Sequence, residues 1–388
     1  MSKITIAILL VGGCAAAGES SPEASRQDSA SSSVAEAASS GASASATAGA
    51  GGGPAGGAGG GCGLDQGDCD EALGCETDLS TDPEHCGSCD HGCLGGLCIA
   101  SVCQPVTLAS GIDQPFGIAL DDDHVYVAAM GGGTVLKVPK AGGAVVTLAS
   151  AQALPQGIAV HGESVYFANY NGGTVCVVPK QGGSVTVLAS NQGGPSDLIT
   201  DGTHLYWPNY AGGEVMKLPL AGGTPTPLAS GQPQPLRVTV DASYVYWTNL
   251  FPIFQGTVMR VPLAGGSPTV LVNAQTYPTG VAVDASGVYW TLQSFGGSVL
   301  RAPLSGGGTT SLAVAQDQPN DIAIDAADAY FVNFSSDATG TVRRVSLQGG
   351  FTSTLAATQK GASRIAIDDV AVYWTNWSPT GAVMKVAK

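Results

Sequence analysis

Residues 105–110 read Pro-Val-Thr-Leu-Ala-Ser, and this stretch decides how the chain folds. Closely similar segments recur later, as at Pro227-Leu228-Ala229-Ser230, where each follows a Gly-Gly turn and ends a longer unit. The copy at 105–110 instead precedes the first unit, and the last unit reaches Lys388 without a copy of its own. The early segment therefore matches the part that the last unit lacks.

The longer unit is marked by an apolar triplet, such as Ile118-Ala119-Leu120, that occurs seven times. Successive triplets start 40, 40, 40, 43, 41 and 43 residues apart. A tyrosine and then a valine follow each triplet within runs of alternating apolar residues, which predicts four short strands per unit. The tyrosines are Tyr126, Tyr166, Tyr206, Tyr246, Tyr289, Tyr330 and Tyr373.

A period near 40 residues with four strands per unit is typical of a β-propeller blade. We therefore predict an all-β fold, with a seven-bladed β-propeller of four-stranded blades over residues 105–388. The strand at 105–110 is expected to complete the seventh blade. That pairing closes the ring and removes the exposed edges that an open array of sheets would present.

Two of the units contain the sequence Tyr-Trp-Thr-Asn, at 246–249 and 373–376. These segments resemble the YWTD-type propeller of the low-density lipoprotein receptor family, and the resemblance implies a propeller fold. Here Asn replaces the Asp of that family, and the seven units exceed its six blades. The ligands of the receptor family are therefore not implied for this chain.

Residues 1–13 carry Lys3, the apolar run Ile4 to Val11 and two glycines directly before Cys14. This arrangement resembles the signal peptide of bacterial lipoproteins, and it implies that Cys14 is lipidated. Ala15 at the next position implies the outer membrane under the enteric sorting rule. The alternative is a secretory signal cleaved elsewhere, and either signal places the protein in the cell envelope or outside the cell. A lipid anchor is the membrane contact that we predict, because the apolar run is far shorter than a bilayer-spanning helix.

Residues 14–61 are almost wholly Ala, Ser and Gly, which predicts a disordered linker. Residues 62–103 then contain eight cysteines, which in an exported chain predicts a small module held by four disulfides. Their spacing leaves the pairing open. These cysteines are Cys62, Cys69, Cys75, Cys86, Cys89, Cys93, Cys98 and Cys103.

The stretch 81–89, Thr-Asp-Pro-Glu-His-Cys-Gly-Ser-Cys, suggests an alternative role for some of these cysteines. Cys86 and Cys89 have the spacing of zinc ligands, with His85 and His91 nearby. We favour disulfides because the chain is predicted to be exported. The same stretch resembles a Cys-rich module of secreted lipoproteins from gliding Gram-negative bacteria, which implies location more than activity.

The chain carries 15 Lys and Arg against 30 Asp and Glu, a formal net charge of −15. This charge repels phosphate backbones, so nucleic acid is excluded as an expected partner. We predict neither a cofactor nor a metal, and we expect a monomer.

The repeats differ most on one face of the predicted ring, called here the top face. It holds the loops that enter the innermost strands and those that join second to third strands. Charged or amide side chains precede the innermost strands of several units, where Gly117, Gly157 and Gly280 stand in others. The former are Gln156, Asp197, Arg237, Asn320, Asp321 and Arg364. Aromatic residues occupy the surrounding loops: Tyr170, Tyr210, Phe251, Phe254, Phe295, Phe334 and Trp377.

A polar centre surrounded by aromatic rings suits a glycan or an extended peptide or protein ligand, because rings stack on apolar sugar faces while charges orient the ligand. The alternative is that Arg237 with Asp197, and Arg364 with Asp321, only neutralise each other across the channel.

Residues that recur at one position of every unit are interpreted as structural. We expect four tryptophans in the core, namely Trp207, Trp247, Trp290 and Trp374. We also expect structural roles for the basic series Lys137, Lys217, Arg260, Arg301, Arg344 and Lys385. Cys176 takes the place of Leu or Met in other units, so a buried, unreactive thiol is predicted. The acidic run 121–123 is interpreted as a tight turn, with calcium binding as the less favoured alternative.

His124, His161 and His204 fall in turns on the face opposite the top face. A seven-bladed lyase similar to streptogramin lyase would need acid/base histidines on its ligand face. We therefore favour a surface-tethered ligand-binding or protein-interaction scaffold over an enzyme. The alternative is an exported polysaccharide lyase or hydrolase that uses the carboxylates of Asp197 and Asp321.

Overall fold

The computed structural model describes residues 66–67, 69, 77–252 and 254–388. The predictions for the signal peptide, Cys14, the linker, Cys62 and Cys75 concern residues outside this part of the chain. Among the described residues, no helix has the length and hydropathy needed to cross a membrane.

The Cys-rich segment contains two small antiparallel ladders. Strand β1 (Gln66–Gly67) pairs with β2 (Thr77–Asp78), and β3 (Cys98–Ile99) pairs with β4 (Val102–Cys103). Disulfides join Cys69 to Cys89, Cys86 to Cys98 and Cys93 to Cys103. The predicted disulfides are therefore confirmed for these six cysteines. The sulfurs of Cys86, Cys93 and Cys103 also lie close together, because two of these disulfides are neighbours.

Seven four-stranded antiparallel sheets follow, each built from strands in sequence order except the last. Blade one consists of β6 (Pro115–Leu120), β7 (His124–Ala129), β8 (Thr134–Pro139) and β9 (Val146–Ala149). Blade two consists of β10 (Pro155–His161), β11 (Ser164–Asn169), β12 (Thr174–Pro179) and β13 (Thr186–Ala189). Blade three consists of β14 (Ile199–Thr200), β15 (His204–Asn209), β16 (Glu214–Pro219) and β17 (Thr226–Ala229).

The remaining blades have the same order. Blade four consists of β18 (Pro235–Val240), β19 (Tyr244–Asn249), β20 (Gly256–Pro262) and β21 (Thr269–Gln275). Blade five consists of β22 (Pro278–Asp284), β23 (Gly287–Leu292), β24 (Phe295–Ala302) and β25 (Thr310–Asp317). Blade six consists of β26 (Pro319–Ile324), β27 (Asp328–Asn333), β28 (Thr341–Ser346) and β29 (Ser353–Ala356). Blade seven consists of β30 (Ala362–Ile367), β31 (Ala371–Asn376), β32 (Gly381–Ala387) and β5 (Val106–Ile112).

Strand β5 closes the ring. It pairs antiparallel with β32, with Ala109 opposite Val383 and Val106 opposite Lys385. The fourth strand of blade seven thus comes from the start of the propeller sequence, and both the seven-bladed fold and its closure are confirmed. The strand at 105–110 has the predicted role because it carries the same Leu-Ala-Ser pattern as the internal fourth strands.

The second strands form the core between blades. The indoles of Trp207, Trp247, Trp290 and Trp374 are fully buried, as predicted. Neighbouring residues of one strand face different blades, since side chains alternate across a sheet. Trp207 packs against Tyr166 of blade two, whereas Tyr206 packs against Trp247 of blade four.

A glutamine near the end of the fourth strand links each tryptophan to the preceding blade. Gln192 Oε1 accepts hydrogen bonds from Trp207 Nε1 at 3.0 Å and from Asn209 Nδ2 at 3.2 Å. The equivalent indole–glutamine bonds occur in blades four, five and seven. Blade one replaces all three polar groups, with Ile112, Val127 and Ala129 packed in one apolar cluster. Blade one thus has an apolar set where blades three, four and seven have the complete polar set.

Aspartates order the turns between first and second strands. In blade three, Asp201 Oδ1 accepts the N–H groups of Thr203 and His204, and Oδ2 accepts the hydroxyl of Tyr206 at 2.7 Å. Asp121 accepts the same kind of bonds, which confirms the predicted turn at 121–123.

The turns between third and fourth strands need glycine. Gly222 and Gly223, for example, have φ of 89° and 134°, where a side chain is disfavoured.

Most of the basic series joins neighbouring blades. Lys137 Nζ donates to the carbonyl oxygen of Lys180 at 2.8 Å, and Lys217, Arg260 and Lys385 make the same contact with the next blade. The predicted structural role is confirmed for these four. Arg301 differs, because it donates to Ser286 of its own blade.

Cys176 is a free, buried cysteine, and burial raises the pKa of its thiol.

Candidate functional site

The hub of the propeller is a ring of seven equivalent positions, one at the start of each innermost strand. They are Gly117, Gly157, Asp197, Arg237, Gly280, Asp321 and Arg364. The glycines are needed where the next blade lies close. A Cβ on Gly157 or Gly280 would meet the backbone of Asp197 or Asp321 of the following blade. The charged residues therefore occur only in blades three, four, six and seven.

The two aspartates have matching roles. Asp197 Oδ2 accepts the N–H of Val238 in blade four, and Asp321 Oδ2 accepts the N–H of Ile365 in blade seven, both at 3.1 Å. Each aspartate thereby holds the innermost strand of the next blade, at the residue that follows an arginine. Both are buried, at 5% and 7% exposure.

Arg364 forms ion pairs with the carboxylates of both Asp197 and Asp321. Its Nη2 lies 2.6 Å from Asp197 Oδ1, and its Nε lies 3.3 Å from Asp321 Oδ2. Burial alone would lower the pKa of Arg364, but the two carboxylates raise it above its ordinary value. Arg364 is therefore a fixed cation that joins blade seven to blades three and six.

Arg237 has a different environment, although it occupies the equivalent position of blade four. It is 4% exposed, and no carboxylate within the described residues lies within 4.0 Å of it. Its Nε is enclosed without a hydrogen-bond partner among the described residues, as is the Nε of Arg364, so the two arginines differ in their distance from a carboxylate. Burial and the neighbouring Arg364 lower the pKa of Arg237 to about 10, while Asp197 and Asp321 act in the opposite sense. Arg237 is still cationic at neutral pH, but it lacks a direct anionic partner.

The alternative pairing predicted for the channel is thus half right. Arg364 does pair with Asp321, but Asp197 pairs with Arg364 rather than with Arg237. The structure brings the four charges together as expected; Asp197, Arg237 and Asp321 are buried, and the side chain of Arg364 is 12% exposed.

Phe116 lies beneath both arginines, with its ring centre 5.2 Å from Arg237 Cζ and 5.7 Å from Arg364 Cζ. Sequence reasoning did not single out this residue. The sequence did contain a signal for it, because Phe116 is an aromatic residue at a repeat position that has none in the other six units. Those units have Gln156, Ser196, Leu236, Thr279, Asn320 and Ser363 there.

The polar residues around the charges join the blades. Asn320 Nδ2 donates to the carbonyl oxygen of Ser363 at 2.6 Å, and Thr375 Oγ1 donates to that of Phe116 at 2.9 Å. Gln156 is buried. These contacts hold the hub rigid, so Arg237 is presented by a fixed scaffold.

The aromatic residues of the top-face loops fall into two groups. Tyr170 and Tyr210 pack together, with ring centres 6.3 Å apart, and the Tyr210 hydroxyl donates to Gln234 Oε1 at 3.0 Å. Burial raises the pKa of Tyr170, and it raises that of Tyr210 to about 12. Phe334 is also packed, at 7% exposure.

The second group is open or has unused hydrogen-bonding capacity. Phe295 is 65% exposed, and Phe251 and Phe254 are exposed as well. Trp377 is partly buried, with its indole Nε1 enclosed and without a hydrogen-bond partner. Of the predicted aromatic residues, Phe251, Phe254 and Phe295 thus have exposed rings, and Trp377 has an unused indole donor.

The propeller histidines lie away from the hub, in the turns between first and second strands. His124 Nδ1 is 3.6 Å from Asp121 Oδ1, and His204 Nδ1 is 2.8 Å from the Thr203 hydroxyl. His161 ends β10 in the same kind of turn. Their placement agrees with the sequence prediction.

A cleft of about 590 Å³ lies between the Cys-rich segment and blade seven. Glu84, Asp90, Asp369 and Lys388 are among its lining residues. His91 crosses it, with Nδ1 2.6 Å from the Cys86 oxygen and Nε2 2.9 Å from the Lys388 oxygen. This histidine attaches the Cys-rich segment to the propeller.

No protein-family model and no curated protein matches the chain. Solved structures do match it in fold. Virginiamycin B lyase from Staphylococcus aureus is 14% identical, with a TM-score of 0.61, over 74% of this chain and 98% of the lyase. A catalytically inactive variant of that lyase, solved with quinupristin, is 13% identical with a TM-score of 0.62 and the same coverage. A chain of a nidogen–laminin complex is 16% identical, with a TM-score of 0.50, over 62% of this chain and 96% of its own.

These likenesses show the fold alone. The matches include both an enzyme and a propeller from a protein complex, so the hub residues of this chain have to carry the functional argument.

Proposed function

We propose that the protein is an exported, surface-tethered binding protein that engages its ligand with the top face of the propeller. The observation that carries this proposal is Arg237, a buried cation at the hub that has no carboxylate of the described residues within 4.0 Å and whose Nε has no hydrogen-bond partner among them. Buried charges are normally paired, so an unpaired one on a rigid scaffold is suited to receive a ligand.

The opposite face supports the choice of the top face. There the aspartates of the turns already accept backbone and tyrosine donors, and the Gly-Gly turns repeat with little variation. Uniform turns with satisfied polar groups offer little for specific recognition. The top face instead has unlike residues at equivalent positions and the exposed ring of Phe295.

The predicted lipidation of Cys14 would tether the propeller to the outer membrane. A flexible linker of the length of residues 14–61 would span about 35–40 Å, enough to hold a domain clear of the lipid headgroups. A glycan or an extended peptide at the cell surface is then within reach of the top face.

The alternative, an exported lyase or hydrolase, would need Asp197 or Asp321 as a general acid or base. Both carboxylates already accept a backbone N–H and an Arg364 contact. Carboxylates held in this way serve the hub as structural anions, which favours binding over catalysis. Polysaccharide turnover that is lost in Asp321→Asn would reverse this preference.

Binding to glycan and peptide arrays tests the proposal. The full chain is compared with Phe295→Ala and Trp377→Ala on the top face. Phe351→Ala is the matched control, because Phe351 is fully exposed and follows a Gly-Gly turn on the opposite face. We expect the top-face variants to weaken binding and the control to retain it. Equal binding by all three variants would reject the top face as the binding surface.

A further inference from the structure

The charge balance of the hub restricts what Arg237 can bind. Asp197 and Asp321 contribute two negative charges, and Arg364 and Arg237 contribute two positive ones, so the buried group is neutral as a whole. The side chains of Asp197, Asp321 and Arg364 are only 8%, 10% and 12% exposed. An added carboxylate would leave a net negative charge in a poorly solvated place, beside two aspartates. An uncharged group with acceptor oxygens avoids that cost.

The geometry of Arg237 adds a second restriction. Its Cζ lies 5.2 Å from the centre of the Phe116 ring and its Nε is enclosed, so the two terminal Nη groups are the donors that a ligand can reach. A planar fork of N–H groups is best matched by two acceptor oxygens side by side. Neighbouring hydroxyls of a sugar ring supply such a pair without charge. The backbone of an extended peptide does not supply such a pair, because the carbonyl oxygens of successive residues point to opposite sides of the strand.

We infer that Arg237 is the orienting subsite for an uncharged oligosaccharide, with neighbouring hydroxyls accepting hydrogen bonds from its guanidinium. This inference rests on the proposed top-face binding function. Exposed aromatic side chains of the surrounding loops, Phe295 first among them, would supply stacking surfaces for further sugar rings.

The test uses the full-length protein and calorimetric titration with defined probes: cellohexaose, xylohexaose, laminarihexaose and chitohexaose as neutral chains, and hexagalacturonate as the acidic comparison. Arg237→Lys retains the charge but removes the planar fork. We expect it to weaken binding of the preferred neutral chain by about 10- to 100-fold, which corresponds to the loss of a hydrogen bond to a charged group. Arg237→Met should weaken binding at least as much.

Arg344→Met is the matched control, since Arg344 belongs to the third strand of blade six and lies near Tyr330 rather than the hub. It should bind like the original protein. Thermal unfolding of each variant separates lost binding from lost folding, and Arg237→Lys decides the outcome if Arg237→Met does not fold.

Three results would overturn the inference: no binding of any of the neutral probes, tighter binding of hexagalacturonate, or unchanged binding by Arg237→Lys. Binding of a peptide that is weakened by Phe295→Ala but not by Arg237→Lys would retain the top-face function and reject the saccharide subsite. Failure of both sets of variants to affect any ligand would reject both.

Discussion

The guanidinium of Arg364 crosses the hub from blade seven and lies 2.6 Å from a carboxylate oxygen of Asp197 in blade three. Blades three and seven lie on opposite sides of the ring, so this ion pair connects the two sides across the channel. The same guanidinium also contacts Asp321 of the neighbouring blade.

Replacing Asp197 by Asn should destabilise the propeller markedly. The substitution removes the charge that faces Arg364, and breaking a buried ion pair typically costs about 3 kcal/mol or more. Chemical denaturation measures the change in the free energy of unfolding. The double variant Asp197→Asn with Arg364→Gln should be less unstable than the sum of its single changes, because the two residues are in contact. Additive effects of the two substitutions would show that Asp197 and Arg364 have no coupling energy.

The closing strand should be as important for stability as an internal fourth strand. Leu108 in β5 and Leu148 in β9 are equivalent and similarly buried, at 7% and 4% exposure. We expect Leu108→Ala and Leu148→Ala each to lower the free energy of unfolding by about 2–5 kcal/mol. The exposed Ser110→Ala is the control within the same strand. A loss for Leu148→Ala without one for Leu108→Ala would contradict ring closure by β5.

The glutamine contacts between blades predict an effect on stability without any change in apolar packing. Gln192→Leu removes the acceptor of Trp207 Nε1 and one of the two acceptors of Asn209 Nδ2, which costs about 1–3 kcal/mol. Gln181→Leu is the control, because Gln181 is exposed and its side chain donates to Glu163 Oε2 on the surface. Thermal and chemical unfolding compare the two. Equal stability of both variants would mean that water replaces the lost acceptor.

The Tyr206–Asp201 pair predicts a stability plateau between about pH 4 and pH 10. Burial by itself raises the pKa of Asp201, but hydrogen bonds from Thr203 and Tyr206 lower it to about 2. Burial and then Asp201 raise the pKa of Tyr206 above its ordinary value. The aspartate contribution is therefore lost as the pH falls from about 4 towards 2, and the tyrosine contribution is lost as the pH rises above about 10.

Tyr206→Phe isolates this contribution. At neutral pH it should lower the free energy of unfolding by about 1.5–3 kcal/mol, because a hydrogen bond to a charged group is removed. The difference from the original protein should shrink at both ends of the pH range. A difference that is independent of pH would show that the phenol does not interact with the ionised carboxylate.

The repeat pattern predicted most of the architecture, because strand alternation and a period near 40 residues are properties of local sequence. The burial of the four tryptophans followed from their shared position in the second strands. The glutamine contacts were also recoverable, since Ile112 replaces the glutamine in the one blade where Val127 replaces the aromatic residue. The joint replacement of the glutamine and the aromatic residue in blade one indicates that the two positions are in contact.

The candidate site was less predictable. The positions of Asp197, Arg237, Asp321 and Arg364 around the hub followed from their equivalent places in the repeats, but their pairing did not. Spacing cannot show which carboxylate a long arginine side chain will reach. Phe334 packs while Phe295 stays open, although both follow a second strand, because the surrounding loops differ.

The order of residues alone determined the number of blades, the strand that closes the ring and the face on which each loop lies, because these depend on periodicity and alternation. Only the closed ring decided that Arg364 meets Asp197, 167 positions away, and that no carboxylate of the described residues lies within 4.0 Å of Arg237. The physical reason is that seven innermost strands bring distant side chains into one small volume. Within it, two carboxylates can both reach one guanidinium, while the other guanidinium lies beside the ring of Phe116.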